Sequence, residues 1–327
     1  MRSLCLVSLL AGLACAWTPP AGGLRSTNVN DMLFSKRGTR YYNEAWSYQF
    51  QFDNGLQASL NLTYAKLGFK DPVCGADLSL AGFKGNSYTV GREYPAERFQ
   101  QSVNPFRIAV HENIWMTGLP PAAHRLHFVA AKNQGFYVDL VFTDIKPGVV
   151  WGDGKFTAGD GDFSVALPIP MATVTGRIGV GGDTISVKGV AMMEHLRQSH
   201  LVSDLLTSSM RFFHPGPNPL YMNWFKENKK PWGGFAVSWA SGQPVLLTGN
   251  ANVDGQVPPG AAVLQATNGT RLDFSRKTLA QASSILDGME GVTRTVVKMF
   301  IGNVKMYRGK GEVNGQPGIY QFMKIGS

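Results

Sequence analysis

WSYQFQFDNGLQASLNLTY, residues 46–64, is the stretch that settles the fold class. Trp46, Tyr48, Phe50 and Phe52 fall on one parity, and Ser47, Gln49, Gln51 and Asp53 on the other. Successive side chains of a strand point to opposite faces, so the segment reads as a strand with one aromatic and one polar face. Asp53-Asn54-Gly55 is a turn signal, because glycine adopts positive φ at no steric cost. The chain then alternates again: Leu56, Ala58, Leu60, Leu62 and Tyr64 against Gln57, Ser59, Asn61 and Thr63. A helix would scatter both sets around its circumference.

The same form recurs along the chain. Leu126, Phe128 and Ala130 lead to Asn133-Gln134-Gly135, and Phe136, Val138, Leu140 and Phe142 lead away. Val174, Ile178 and Val180 approach Gly181-Gly182-Asp183, followed by Ile185 and Val187. Phe235, Val237 and Trp239 reach Ser241-Gly242 before Val245 and Leu247, and Asn314-Gly315 precedes a last strand. With 38 glycines and 18 prolines for punctuation, short strands and turns outweigh helices. Residues 201–210 and 278–289 are the best helical candidates. Many antiparallel strands with one apolar face bury it by closing into barrels or sandwiches. The expected fold is all-β, and the length suits two antiparallel barrels, residues 25–189 and 190–327.

Arg2, an apolar run to Ala16 and the small residues Ala14-Cys15-Ala16 read as a signal peptide over residues 1–16, which makes the protein secreted or periplasmic. No later segment is long and apolar enough for a spanning helix. Cleavage would leave Cys74 as a lone thiol, so stability must come from a packed core rather than disulfides. The formal net charge of +9 favours peripheral contact with an anionic membrane surface, but the charges are scattered. No basic–aromatic interleaving points to nucleic acid.

Familiar catalytic signatures are missing: no Gly-x-Ser-x-Gly elbow, no phosphate-cradling glycine loop, no His-Glu-x-x-His and no Cys-x-x-Cys. No cofactor and no metal site is expected. His124 and His127 lie three apart, which in a strand puts them on opposite faces. The aspartates between Trp151 and Asp162 lack the ordered spacing of a calcium loop and read as turn residues. Two groups carry the remaining chemistry. Trp46 and Tyr48 can line a cavity for an apolar ligand, although core filling is the ordinary fate of such residues. In Glu194-His195-Leu196-Arg197, Glu194 and His195 form a candidate proton-handling pair if the backbone bends enough to bring them together, with Arg197 beside them as a ligand contact.

Glu44-Ala45-Trp46-Ser47-Tyr48 resembles the Glu-Trp-Trp-Tyr region of the lipocalin-like hydroxyneurosporene synthase (carotenoid hydratase) family. Residues 188–195, Lys-Gly-Val-Ala-Met-Met-Glu-His, resemble that family's Gly-x-Gly-Tyr-x-Asp-His segment, and the hairpin from Val174 to Val187 resembles the strand pair before it. The related survival-factor proteins share the plan. The resemblance implies two lipocalin-like barrels side by side. It also implies Glu194 and His195 in the place of the Asp-His pair, and Trp46 and Tyr48 in the place of the aromatic pair. Glu stands for Asp, Ala45 for a Trp and Met192 or Ala191 for a Tyr. These departures shift the expectation from catalysis to binding, since small misplacements of an acid are costly. The expected function is an exported binding protein for a lipid, fatty acyl or isoprenoid molecule. The alternatives are an acid-catalysed hydratase, cyclase or isomerase of an apolar alkene, and a structural envelope protein.

Overall fold

The computed structural model describes residues 20–35, 39–68, 71–131, 135–279, 281–284 and 304–326. The leader read over residues 1–16 lies outside them. The first unit comprises β1 (Leu24–Ser26), β2 (Tyr41–Phe52), β3 (Gln57–Leu67), β4 (Val73–Phe83), β5 (Asn86–Pro95) and β6 (Gln100–Val103). It continues with β7 (Phe106–His111), β8 (Ile114–Thr117), β9 (His124–Ala130), β10 (Phe136–Thr143) and β11 (Val149–Ala158). Two long strands, β12 (Gly161–Val180) and β13 (Asp183–Gln198), complete it. The second unit comprises β14 (Ser208–His214), β15 (Leu220–Lys226), β16 (Trp232–Ser238), β17 (Val245–Val253) and β18 (Ala261–Ala266). β19 (Arg271–Arg276), β20 (Gln281–Ser284), β21 (Lys305–Val313) and β22 (Gln316–Lys324) follow. The fold is all-β, two lipocalin-like antiparallel units side by side.

The first sheet runs β5-β4-β3-β2-β13-β12-β10-β9-β8-β7-β6. It curls until β4 touches β7, and the single 3-10 turn Ala96–Arg98 joins its two edge strands. It therefore curls into a barrel without a hydrogen-bonded seam. β12 does two jobs: its first half pairs with β11, its second with β10. The second sheet closes fully, because β19 pairs with both β18 and β21. Its eight closed strands carry β20 on the outside of β21.

Sequence alternation survives in the register. The β2–β3 hairpin turns at Asp53-Asn54-Gly55, where Gly55 has φ +86°. Its aromatic face, with Trp46, Tyr48, Phe50, Leu60 and Leu62, fills the first barrel. In the second barrel, Met210, Phe212, Met222, Trp224, Leu264, Phe274, Tyr320 and Phe322 do the same. The outer faces of β14, β15 and β16 are apolar in part too. Phe213, Tyr221, Phe225, Phe235 and Val237 pack there against Trp151, Phe156, Phe163, Val165 and Met192 of the first unit. This aromatic seam is one half of the contact between units.

Three expectations need restating. Gly189, where the sequence reading divides the halves, lies inside β13, which stays paired with β2 as far as Gln198. The change of sheet comes between Gln198 and Ser208. Residues 201–210 form only one helical turn, Val202–Leu205, before β14 begins. Pairing of Ser208–His214 with strands on both sides outweighs their weak helical preference. Of the candidate helix at 278–289, Gln281–Ser284 is a strand, and the rest past 284 lies outside the described residues. Cys74 is buried and free, its thiol pushed up to about 11 by burial.

Close strand pairing makes Gly249 a sensitive point. A Cβ there would collide with the Gln265 carbonyl oxygen on β18. Gly249→Ala is expected to cost about 1–3 kcal/mol, read as a lower urea midpoint with an unchanged slope.

Candidate functional site

β13 and β2 pair with Glu194 opposite Ser47 and His195 opposite Trp46. Glu194 and His195 therefore leave the sheet on opposite faces, and each joins a different cluster.

His195 enters the end of the first barrel, where it stacks on Trp46 with ring centroids 4.7 Å apart. Its Nδ1 lies 2.6 Å from the Asp31 carbonyl oxygen, to which it can only donate. Its Nε2 lies 2.7 Å from Glu44 Oε1, so that contact holds a proton belonging to the pair. Burial pushes the Glu44 carboxyl up, but His195, Arg197 and Tyr42 outweigh it and hold it below the ordinary value. Trp46 Nε1 donates to the Met32 carbonyl at 2.7 Å. Arg197 donates to Asn30 and Leu33 carbonyls at 3.1 and 2.9 Å and to Glu44 Oε1 at 3.0 Å. Side chains thus satisfy four consecutive carbonyls, residues 30 to 33. The Ser35 amide closes the clasp on Glu44 Oε2 at 3.2 Å. The motif residues Glu44, Trp46, His195 and Arg197 tie the N-terminal segment across the barrel mouth.

Tyr48 points deeper. Its hydroxyl lies 2.7 Å from His124 Nε2 and 2.8 Å from the Met116 sulfur. His124 Nδ1 donates to the Gly118 carbonyl at 2.8 Å, so Nε2 accepts from Tyr48. Burial lowers the His124 imidazole to about 4 and raises the Tyr48 phenol. Phe50 and Phe142 pack around this dyad. His127 leaves the opposite face of β9 and stacks on Trp115.

Glu194 faces the second unit. Its carboxylate pairs with Arg211 of β14 and accepts from the Tyr221 hydroxyl of β15 at 2.7 Å. Burial raises the Tyr221 phenol to about 12, opposed by Arg211. The cluster belongs to a larger meeting of two polar rows. Across β2, β3 and β4 run Gln49, Ser59 and Ser79, in register. Across β15, β14, β22 and β21 run Asn223, Arg211, Gln321 and Arg308, also in register. Two adjoining narrow gaps, of about 10 and 20 Å³, each with room for roughly one water, lie between the rows and share Gln49 and Ile319. Met192, Phe212, Phe213 and Ile319 give the first an apolar wall beside Glu194.

The structure therefore distributes the sequence candidates. Trp46, His195 and Arg197 meet in the clasp, Tyr48 joins His124 in the barrel, and Glu194 stands apart at the crevice. Sequence reasoning passed over Arg211, Tyr221, Arg308 and the functional side of Gln49. Arg211 had a signal, a lone cation inside the apolar run Met210 to Phe213. Gln49 and Ser59 had none, because a polar strand face ordinarily means solvent.

No protein-family model matches the chain, and no curated protein matches it in sequence. Solved structures do match, at the level of fold. A Nitrosomonas europaea protein provisionally called AttH superposes with TM-score 0.64 and 13% identity, over 94% of this chain and 99% of that one. CghA with Sch210972 gives TM-score 0.61 and 12% identity, over 96% and 95%. Kievitone hydratase from Nectria haematococca gives 0.51 and 12%, over 95% and 98%. The fold is shared with a hydratase. Whole-length coverage on both sides means that both units and their pairing recur, whereas identities this low carry no residue roles across.

Two outcomes follow from the buried clusters. Trp46→Phe keeps the ring but removes the bond to Met32, and is expected to speed amide exchange over residues 30–35 while leaving the barrel cores protected. His124 stays neutral in the folded protein down to about pH 4, while the unfolded chain protonates it near 6.5. The unfolded state thus binds more protons between those values. Stability from this residue is complete above the upper value and falls by about 3 kcal/mol as pH drops to the lower one. In urea titrations from pH 7 to 4, His124→Gln, which still accepts from Tyr48, should flatten that loss.

Proposed function

We propose that the protein is an exported enzyme that moves a proton on an apolar, unsaturated small molecule, in hydration, isomerisation or cyclisation, with Glu194 as the proton-transfer group. The observation that carries this reading is the Glu194 carboxylate at an apolar-walled crevice between the units, held on one side by Arg211 and on the other by Tyr221. A carboxylate paired with a guanidinium stays ionised, so Glu194 acts as the base. It takes a proton from the substrate or from attacking water and returns it at another carbon, leaving the site as it began. Tyr221 and Arg211 position the carboxylate through its two oxygens. The shared fold of a hydratase supports the same class. The leader read at residues 1–16 supports export to the periplasm or outside the cell.

Two observations favour this over a container for lipid. The interiors of both barrels are occupied by their own aromatic and aliphatic side chains. The crevices lie between the units instead. The test begins with native mass spectrometry of the protein from its own host, to identify the molecule it carries, followed by assay of that molecule. Glu194→Gln is expected to lower kcat about 100-fold or more, and Tyr221→Phe about 10-fold. Unchanged turnover in Glu194→Gln would remove Glu194 from the chemistry.

A further inference from the structure

The second barrel has two unlike ends. At one, the turns 214–220, 238–245, 266–271 and 313–316 carry a single Lys or Arg, Arg271, which pairs with Asp273. At the other, lysines collect. The pairing register sets three of them in one row. Across β16, β15, β14, β22 and β21 it reads Trp232, Lys226, Ser208, Lys324 and Lys305. Each lysine lies two residues beyond a neighbour that packs in the barrel: Trp224 for Lys226, Phe322 for Lys324 and Tyr307 for Lys305. The row therefore stands on the inward parity, at the barrel's mouth. Lys305 is exposed, and Lys226, Lys324 and Trp232 are half-buried. The turn from β15 to β16 adds Lys229 and Lys230, both exposed.

Little negative charge answers them. Glu227 is buried and accepts from Lys230 at 2.6 Å and from the Gly159 amide at 2.9 Å. The Asp254 carboxylate accepts from the amides of Gln256, Gly260 and Ala261. Among the described residues, Lys226, Lys229, Lys305 and Lys324 pair with no carboxylate, that of Asp204 on the turn before β14 included. Lys305 and Lys324 stand directly opposite each other, which costs stability until an anion lies between them. Lysine acts as a point charge towards phosphate, and a tryptophan with one side wet suits the head-group layer of a bilayer. The row runs over three strand spacings from Lys226 to Lys305, about 14 Å. That is too long for one small anion and suited to a surface of them.

We infer that this end of the second barrel docks on a bilayer containing anionic phospholipid, with Lys226, Lys305 and Lys324 meeting its phosphates and Trp232 its head-group layer. The inference goes beyond the proton chemistry proposed for Glu194 and does not require it. It places the molecule where an apolar small molecule gathers, since such molecules partition into a bilayer.

Sedimentation with vesicles tests it on the mature full-length chain. Wild type is expected to bind vesicles of roughly one-third phosphatidylglycerol in phosphatidylcholine at low salt, to leave them at about 0.5 M salt, and to ignore phosphatidylcholine alone. Lys226→Gln/Lys305→Gln/Lys324→Gln should weaken binding about 100-fold. Lys66→Gln/Lys131→Gln/Lys188→Gln removes the same charge from the first unit and should weaken it no more than about threefold. Because the first triple variant loses opposed like charges, its thermal midpoint should be unchanged or higher, which separates lost binding from lost folding. Lys324→Gln alone, expected to weaken binding about fivefold, serves if the triple variant does not fold. Equal binding to both kinds of vesicle, no binding to the anionic ones, or an equal loss in the two triple variants overturns the inference. Glu194→Gln should bind vesicles as wild type does, so failure here leaves the proton-transfer role to its own assay.

Discussion

Side chains alternate across a strand, and along β13 this constraint sorts the polar chemistry of the molecule into separate compartments. His195 turns into the mouth of the first barrel and Glu194 turns out to meet the second. No bend or bulge in the pairing of β13 with β2 brings them together. Two neighbours that read as a unit in sequence thus serve different structures. One holds the N-terminal segment, and the other faces a crevice.

Burying the polar face of β2, β3 and β4 is what makes the two units one molecule. Two kinds of surface meet there. The aromatic seam of Phe156, Phe163, Phe225 and Phe235 supplies apolar burial, which is non-directional. The facing polar rows supply direction, since Glu194 with Arg211 and Tyr221 fits only one alignment. The rows are incompletely satisfied between themselves. Ser59 Oγ and Gln57 Nε2, at the crevice, and Asn223 Oδ1, outside it, lack a partner among the described residues.

The clasp illustrates a second physical point. The 3-10 turn Val29–Asp31 and the residues after it expose consecutive carbonyls with no strand to receive them. Side chains of β2 and β13 take up four of them, at the closed and dry end of a barrel. The segment is thereby held by bonds worth more than they would be in water. Trp46, His195 and Arg197, three of the residues singled out in the sequence, are in this way occupied with backbone carbonyls and Glu44.

Local alternation was enough to read the hairpins, the all-β class and the inward course of Trp46 and Tyr48. Each depends on the period-two geometry of a strand and on turn residues a few positions away. Opposite facing of His124 and His127 was legible for the same reason. The boundary at Gly189 was not, because a strand's continuation depends on its partner, and β13 has β2 to pair with as far as Gln198. Nor could sequence show that Gln49, Ser59 and Ser79 face protein instead of solvent, since alternation says which residues share a face and never what covers it. By itself the sequence determined the strands, their turns and the aromatic interiors, all consequences of short-range geometry. Only the tertiary structure decided that Glu194 meets Arg211 and Tyr221 while His195 meets Glu44 and Asp31, because those partners lie far away in the chain and are brought together by how the two units pack.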